Sequence, residues 1–280
     1  MIQIKDLNFG YSKKALLFKN LNLNLAKGHI YGLLGKNGAG KSTLLHNITG
    51  LTYPQSGYCF VNGLNSADRS VDFLADMYFI PEEIFMPSVT AAQFLKNTAP
   101  FYPRFNEEQF YSYIEEFEVP RESVLDKMSF GQQKKAMIAF GLATNTGLLV
   151  MDEPTNGLDI PSKVQFRKTI ASVLTEDRCI IISTHQVRDL DSLIDTLVVL
   201  NDCEIVVNEA LDVIAEKLYF TTLESDDQQP TLYHEESIRG KNAILINNDE
   251  LYSKVDMEIL FNAIVSHNQS VIDHLNLSAK

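Results

Sequence analysis

The sequence predicts an α/β fold, and three observations carry that prediction. The stretch HIYGLLG, residues 29–35, is a buried-strand run that leads into the glycine-rich GKNGAGK and then into KSTLLHNITG, which opens with small polar residues and closes at Gly50 as a helix does. A second apolar run, Leu148–Met151, ends abruptly in Asp152 and Glu153. A third, CIIIS, ends in Thr184 and His185. Apolar strand runs followed by helical segments describe an α/β core.

The first of these elements has a chemical reading. Gly35, Gly38, Gly40, Lys41 and Ser42 fit G-x-x-x-x-G-K-[ST]. Glycines let the backbone, including Asn37 and Ala39, wrap closely, so that successive N–H groups and the helix N-terminus point at the phosphates of a nucleotide. Lys41 would reach the β- and γ-phosphates, Ser42 would give its hydroxyl to Mg²⁺, and Thr43 would add a phosphate donor. Such a loop needs carboxylates facing it. Asp152 would coordinate Mg²⁺ through water, and Glu153 would orient and deprotonate the hydrolytic water. A carboxylate pair at the end of an apolar strand is otherwise charge at a core edge for no gain.

Composition sets limits. At 280 residues and 45% hydrophobic, the chain can bury a large core, as one domain or as one domain with an appendage. Its formal charge of -12 argues against a nucleic-acid partner, because phosphate-backbone affinity needs clustered Lys and Arg. Cys59, Cys179 and Cys203 lack metal-ligand or C-x-x-C spacing and read as reduced thiols. The N-terminal MIQIKDLNFGYSKK alternates like a strand, so no signal peptide is expected, and no apolar run is long enough to span a bilayer.

Taken in order, the motifs resemble those of the ATP-binding subunits of ABC transporters, over about residues 1–210. GKNGAGKST is similar to that family's Walker A motif and LLVMDEP to its Walker B motif. MSFGQ, residues 128–132, resembles the LSGGQ signature, keeping Ser129, Gly131 and Gln132 but carrying Met128 and Phe130 in place of Leu and the first Gly. NGLD, ending at Asp159, is similar to the D-loop, and His185, 32 residues after Glu153, stands where the switch histidine does. Tyr11, 24 residues before Gly35, reads as a strand-end aromatic or, by the resemblance, as the ring that stacks on adenine.

The resemblance implies a P-loop NTPase-type ABC ATPase core at 1–210 with a helical subdomain at about 84–145, followed by a C-terminal α/β accessory domain at 211–280. It implies ATP and Mg²⁺ at the site and a second copy, or a similar ATPase subunit, as dimer partner. In that pair Ser129 and Gly131 complete the site on the facing subunit, and Ser129 also starts its own helix. His185 would contact the γ-phosphate. The expected membrane partner is a separate spanning subunit, which places this chain on the cytoplasmic face of the cell membrane. One departure concerns MYFIPEE, where Glu82 stands in place of the usual Gln. Glu82 is there either a Mg²⁺ contact or a surface turn. Together with FYPRFNEEQF and the appendage it resembles bacterial exporter subunits, so export is expected. A soluble ABC ATPase acting on a cytosolic assembly, such as iron–sulfur cluster assembly, is the alternative.

The helix expected over GQQKKAMIAFGLA reads as amphipathic, with Met137 and Phe140 on one face. The aromatics of 84–127 are expected to pack a core. Beyond Leu211 the chain is acidic, with 12 Asp and Glu against 5 Lys and Arg. There TLYHEESIRGKNAILINNDE alternates as strands do, VDMEILFNAIVSHNQSVIDHL reads as helix, and ESDDQQP as an exposed joint.

Overall fold

A computed structural model describes residues 1–238, 240–248 and 251–276. The chain opens with β1 (Ile2–Phe9), β2 (Phe18–Leu25), β3 (His29–Leu34) and α1 (Lys41–Ile48), then β4 (Ser56–Val61), β5 (Leu64–Asn65), α2 (Val71–Ala75) and β6 (Met77–Ile80). Next come α3 (Ala91–Thr98), α4 (Glu107–Glu116), α5 (Phe130–Ala143), β7 (Leu148–Asp152), α6 (Ile160–Ser172) and β8 (Cys179–Thr184). After α7 (Val187–Leu190), β9 (Thr196–Asn201) and β10 (Glu204–Ala210), the last part holds α8 (Leu211–Lys217), β11 (Leu218–Leu223), β12 (Tyr233–Ser237), β13 (Gly240–Ile246), α9 (Met257–Val265) and α10 (Gln269–Asn276).

The central sheet has the order β10-β9-β3-β8-β7-β6 and is parallel apart from β10. Every residue of β7, β8 and β9 is buried, because both faces of the sheet are covered and each face therefore needs apolar side chains. Leu148 and Val150 point to a core shared with α1 and the antiparallel sheet β2-β1-β4-β5. Leu149 and Met151 point to the opposite core, which runs into the helices α4 and α5 and into α9. The outer antiparallel strands show the alternation expected of one covered face, as in the BeeBeBeB burial of β2.

This topology is what assembles the site. In the sheet β8 lies between β3 and β7, with Leu34 opposite Thr184 and Asp152 opposite Ser183. The loop after β3, the carboxylates ending β7 and the His185 segment after β8 therefore emerge side by side, at the carboxyl end of the sheet where α/β ligands bind.

Two helical expectations need correction. α5 is not one-sided: Lys134, Ala136 and every residue from Ile138 to Ala143 are buried, because the helix is covered by α4 on one side and by β6 on the other. Met137, expected on the apolar face, is only partly buried, and its sulfur accepts the Tyr78 hydroxyl at 2.8 Å. The run from Val255 to Leu275 forms two helices, broken at His267 with its φ of 58°. The segment 224–230 is exposed and lies outside strands and helices. Beyond it, β11, β13 and β12 form an antiparallel sheet, against which α9 packs. α9 also packs on α7 and β9, and it donates seven of its nine residues to the buried core.

Candidate active site

The phosphate loop connects β3 to α1 through backbone that side chains resist. Gly40 caps α1 at φ 102° with no side-chain hydrogen bond, so no side chain competes for the first N–H groups of the helix. A side chain at Gly35 would put its Cβ 2.5 Å from the Leu200 carbonyl oxygen. Asn37 and Gly38 are exposed; Ala39 is turned inward, and its N–H closes onto Lys36 O at 3.1 Å. Lys41 is buried and folds across its own loop, donating to Gly35 O at 2.8 Å and Lys36 O at 3.3 Å. Burial lowers its pKa, opposed by the nearby charges of Glu153 and Asp152. Two carbonyls are weak partners for a desolvated ammonium, and phosphate oxygens are stronger ones.

Ser42 is half-buried at the second position of α1, and Thr43 behind it shares a 2.9 Å hydrogen bond with the Tyr11 hydroxyl. Tyr11 is 73% exposed, with Phe9 packed at 5.2 Å against its ring. Tyr11 is thus held at its tip and along one side while most of its surface faces solvent beside the loop.

Across the sheet edge, Asp152 and Glu153 are both buried. Asp152 accepts from the Ser183 hydroxyl. Glu153 adopts φ 45°, a conformation that costs a non-glycine residue about 1 kcal/mol or more and persists only when its surroundings fix it. Its N–H donates to Ser183 O at 3.1 Å. Its carboxylate accepts from Thr184 Oγ1 at 2.9 Å and from the His185 N–H at 2.9 Å, and His185 Nδ1 lies 2.8 Å from the same Oε1. Lys41 Nζ stands 4.0 Å from that oxygen. The structure thus brings Lys41, Asp152, Glu153 and His185 together. Ser183 and Thr184, which orient the two carboxylates, were visible in the sequence only as the polar end of an apolar run.

The remaining predicted residues make other contacts. Ser129 caps α5: its Oγ accepts the Gln132 N–H at 3.3 Å, and Gln132 Oε1 accepts the Ser129 N–H at 3.1 Å. Gly131 follows on the first turn, and the ring of Phe130, 48% exposed, lies against Gly157. Asp159 is exposed and caps α6, accepting the Ser162 N–H at 2.9 Å, and the hydrogen bonds from Ser162 hold its carboxyl below the usual range. Glu82 is exposed, and its Oε1 accepts from Asn156 Nδ2 at 3.0 Å. Asn156 in turn accepts from Gln186 at 3.3 Å, so a hydrogen-bonded string links Glu82 to the residue after His185.

The donors offered to a metal are a serine hydroxyl and carboxylates, the hard oxygen set that suits Mg²⁺. Among the described residues no group of three or more His, Cys, Asp and Glu could hold a metal ion alone.

A glycine-lined loop on a helix N-terminus, facing a buried Asp-Glu pair across a parallel sheet, defines the P-loop fold of nucleotide-binding domains. Residues 18–156 match the ABC transporter family, and the chain carries the ATP-binding domain of that family. It is 28% identical over 220 residues to the lantibiotic transport ATP-binding protein SrtF of Streptococcus pyogenes, covering 76% of this chain and 92% of that one. A solved structure of an ATP-binding subunit of an ABC transporter superposes with a TM-score of 0.69 at 26% identity, over 76% of this chain and 91% of the other. A relative from Bacillus cereus is 26% identical over 223 residues, and there the match spans 39% of the relative's length and 76% of this chain.

Proposed function

We propose that this chain hydrolyses ATP to power export through a separate membrane-spanning subunit, with two such ATPase subunits closing on ATP. The observation that carries the proposal is the Glu153 carboxylate, buried, held at both oxygens by Thr184 and His185, and 4.0 Å from Lys41 Nζ.

The chemistry follows from those positions. Lys41 exchanges the Gly35 and Lys36 carbonyls for the β- and γ-phosphates, while Tyr11 stacks on the adenine. Loop N–H groups of 37–43 and the Thr43 hydroxyl complete the cradle. Glu153 lies at the loop with its carboxylate already oriented, so it lines up the attacking water and takes its proton. With Nδ1 beside Glu153, Nε2 is the ring nitrogen of His185 left for the γ-phosphate. Ser42 and Asp152, with Glu82 as a further oxygen donor, would hold Mg²⁺, which when bound would supply neutralising charge to the phosphates.

Ser129 and Gln132 cap the start of α5, with Gly131 between them, and Asp159 caps the start of α6, and these helix starts would form the face that meets the nucleotide of a second copy. Loss of the γ-phosphate removes the contacts of Lys41, His185 and the second copy's Ser129, and the pair opens. Leu51, Val71, Leu74, Phe79, Phe101 and Tyr102 line an apolar groove of about 540 Å³ between the sheet and the helical layer. Val71 and Phe101 are 81% and 71% exposed there, a surface suited to a helix of the membrane subunit. No helix among the described residues is long and apolar enough to cross a membrane. The export direction takes its support from the similarity to SrtF, described as a lantibiotic transport protein.

The test is phosphate release by the purified chain with MgATP, alone and in membranes holding a multi-span protein that co-purifies with it from detergent extract, together with its mass in solution with and without nucleotide. Hydrolysis and nucleotide-dependent pairing are expected. Absence of both, with the membrane subunit supplied, removes the reading.

A further inference from the structure

One buried charge is not used by the chemistry above. Lys134, on the second turn of α5, is 0% exposed, and among the described residues no carboxylate lies within 4.0 Å of its ammonium. Nζ donates instead to two main-chain carbonyls, Glu82 O at 2.8 Å and Glu153 O at 3.0 Å. Burial lowers its pKa, as expected for a desolvated ammonium. A buried lysine bonded only to carbonyls is a poor source of stability, since an apolar side chain of similar volume would avoid the desolvation. What it supplies is geometry.

Those two bonds tie three segments together: the signature helix α5, the loop after β6 that carries Glu82, and the turn after β7 that carries Glu153. Glu153 sits at positive φ, with its N–H fixed by Ser183 and its C=O by Lys134. Both ends of the strained residue are therefore pinned, which is what such a conformation requires. One turn earlier, the Phe130 ring lies 5.5 Å from Nζ and leans on Gly157 at the half-exposed start of α5. A shift of that face on closure is transmitted to Lys134 and, through it, to the catalytic turn.

We infer that Lys134 is a positioning residue for ATP hydrolysis, fixing the turn that aims Glu153 and coupling it to the Glu82 loop and the signature helix without touching nucleotide. The inference rests on the reading of Glu153 proposed above. A general base displaced by about 1 Å loses on the order of 100-fold in turnover, whereas nucleotide affinity depends on a different loop.

The experiment compares full-length Lys134→Met and Lys134→Gln with the wild type in phosphate release over a range of MgATP, with thermal unfolding as the check on folding. Lys134→Met is expected to lower kcat by about 10- to 100-fold at unchanged KM. Lys134→Gln keeps N–H donors on a shorter stem, cannot span both carbonyls, and is expected to fall between the two in kcat, again at unchanged KM. Either folded variant turning over at the wild-type rate overturns the inference, as does a loss that appears in KM. Should Lys134→Met not fold, Lys134→Gln decides by the same criterion. A wild type without phosphate release, or a Glu153→Gln variant at the wild-type rate, overturns the reading of Glu153 itself and the inference with it.

Discussion

His185 Nδ1 lies 2.8 Å from Glu153 Oε1, and the same oxygen accepts the His185 main-chain N–H at 2.9 Å. Residues 32 positions apart thus act as one unit, because β7 and β8 are neighbours and end level with each other. Glu153→Gln keeps the volume and one carbonyl acceptor for the His185 N–H. Its amide cannot take a proton from water. Phosphate release is expected to fall by roughly 10²- to 10⁴-fold while ATP affinity stays within a few-fold. Steady-state phosphate assay and nucleotide titration check this, and size-exclusion chromatography with ATP should show the variant trapped as a pair.

Phe140 makes a stability prediction. It is fully buried, with the rings of Phe94, Phe105, Tyr78 and Tyr102 at 5.0, 5.1, 5.4 and 5.9 Å. Phe140→Ala removes the ring that all the others touch, and the expected loss is about 3–5 kcal/mol, read as a lower urea midpoint.

What the sequence disclosed follows from how local each feature is. Gly35 to Thr43, Asp152, Glu153 and His185 sit at the ends of apolar runs, and a parallel strand buried on both faces is such a run. The loop, the carboxylates and the histidine were therefore legible, and their side-by-side placement follows from strand order. α5 was misread because burial on all sides leaves no period to detect, and Lys134 within QQKK looks like any solvated lysine. The break between α9 and α10 falls on His267 at φ 58°, a left-handed turn made without glycine and so without a mark in the sequence. That Gln132 closes a capping box, with no bond to the phosphate loop, depended on side-chain geometry that spacing alone does not report.

The buried thiols set an alkaline limit. Burial pushes Cys59 up to about 11 and Cys179 up to about 12, from an ordinary 9.0. Between pH 9 and 11 the unfolded chain releases these protons and the folded chain keeps them, so stability falls as pH rises. Each thiol contributes up to about 1.4 kcal/mol per pH unit. Urea midpoints should drop from pH 9 to pH 11, and less steeply in Cys179→Ala, which lacks one of the two groups.

Lys36 of the phosphate loop donates to Val265 O, in the last turn of α9, at 3.0 Å. Its stem is exposed, so Lys36→Met is expected to cost only about 0.5–1 kcal/mol in unfolding. The more telling readout is amide exchange. MgATP should change the exchange of 257–265 in the wild type, and this response should be reduced in Lys36→Met.

Ser129 has two assignments that one substitution separates. As the cap of α5 it accepts the Gln132 N–H, and aspartate caps a helix as well as serine does, with a favourable charge at the N-terminus. Ser129→Asp should therefore unfold at or above the wild-type temperature, whereas Ser129→Ala loses about 1 kcal/mol. On the face proposed to meet the second copy's triphosphate, the new carboxylate opposes the phosphates, a repulsion of several kcal/mol. The expected result is normal folding and normal ATP binding by the single subunit, no ATP-dependent pairing, and phosphate release down at least about tenfold. A Ser129→Asp protein that pairs and hydrolyses like the wild type would place this serine away from the nucleotide and leave it a helix cap alone.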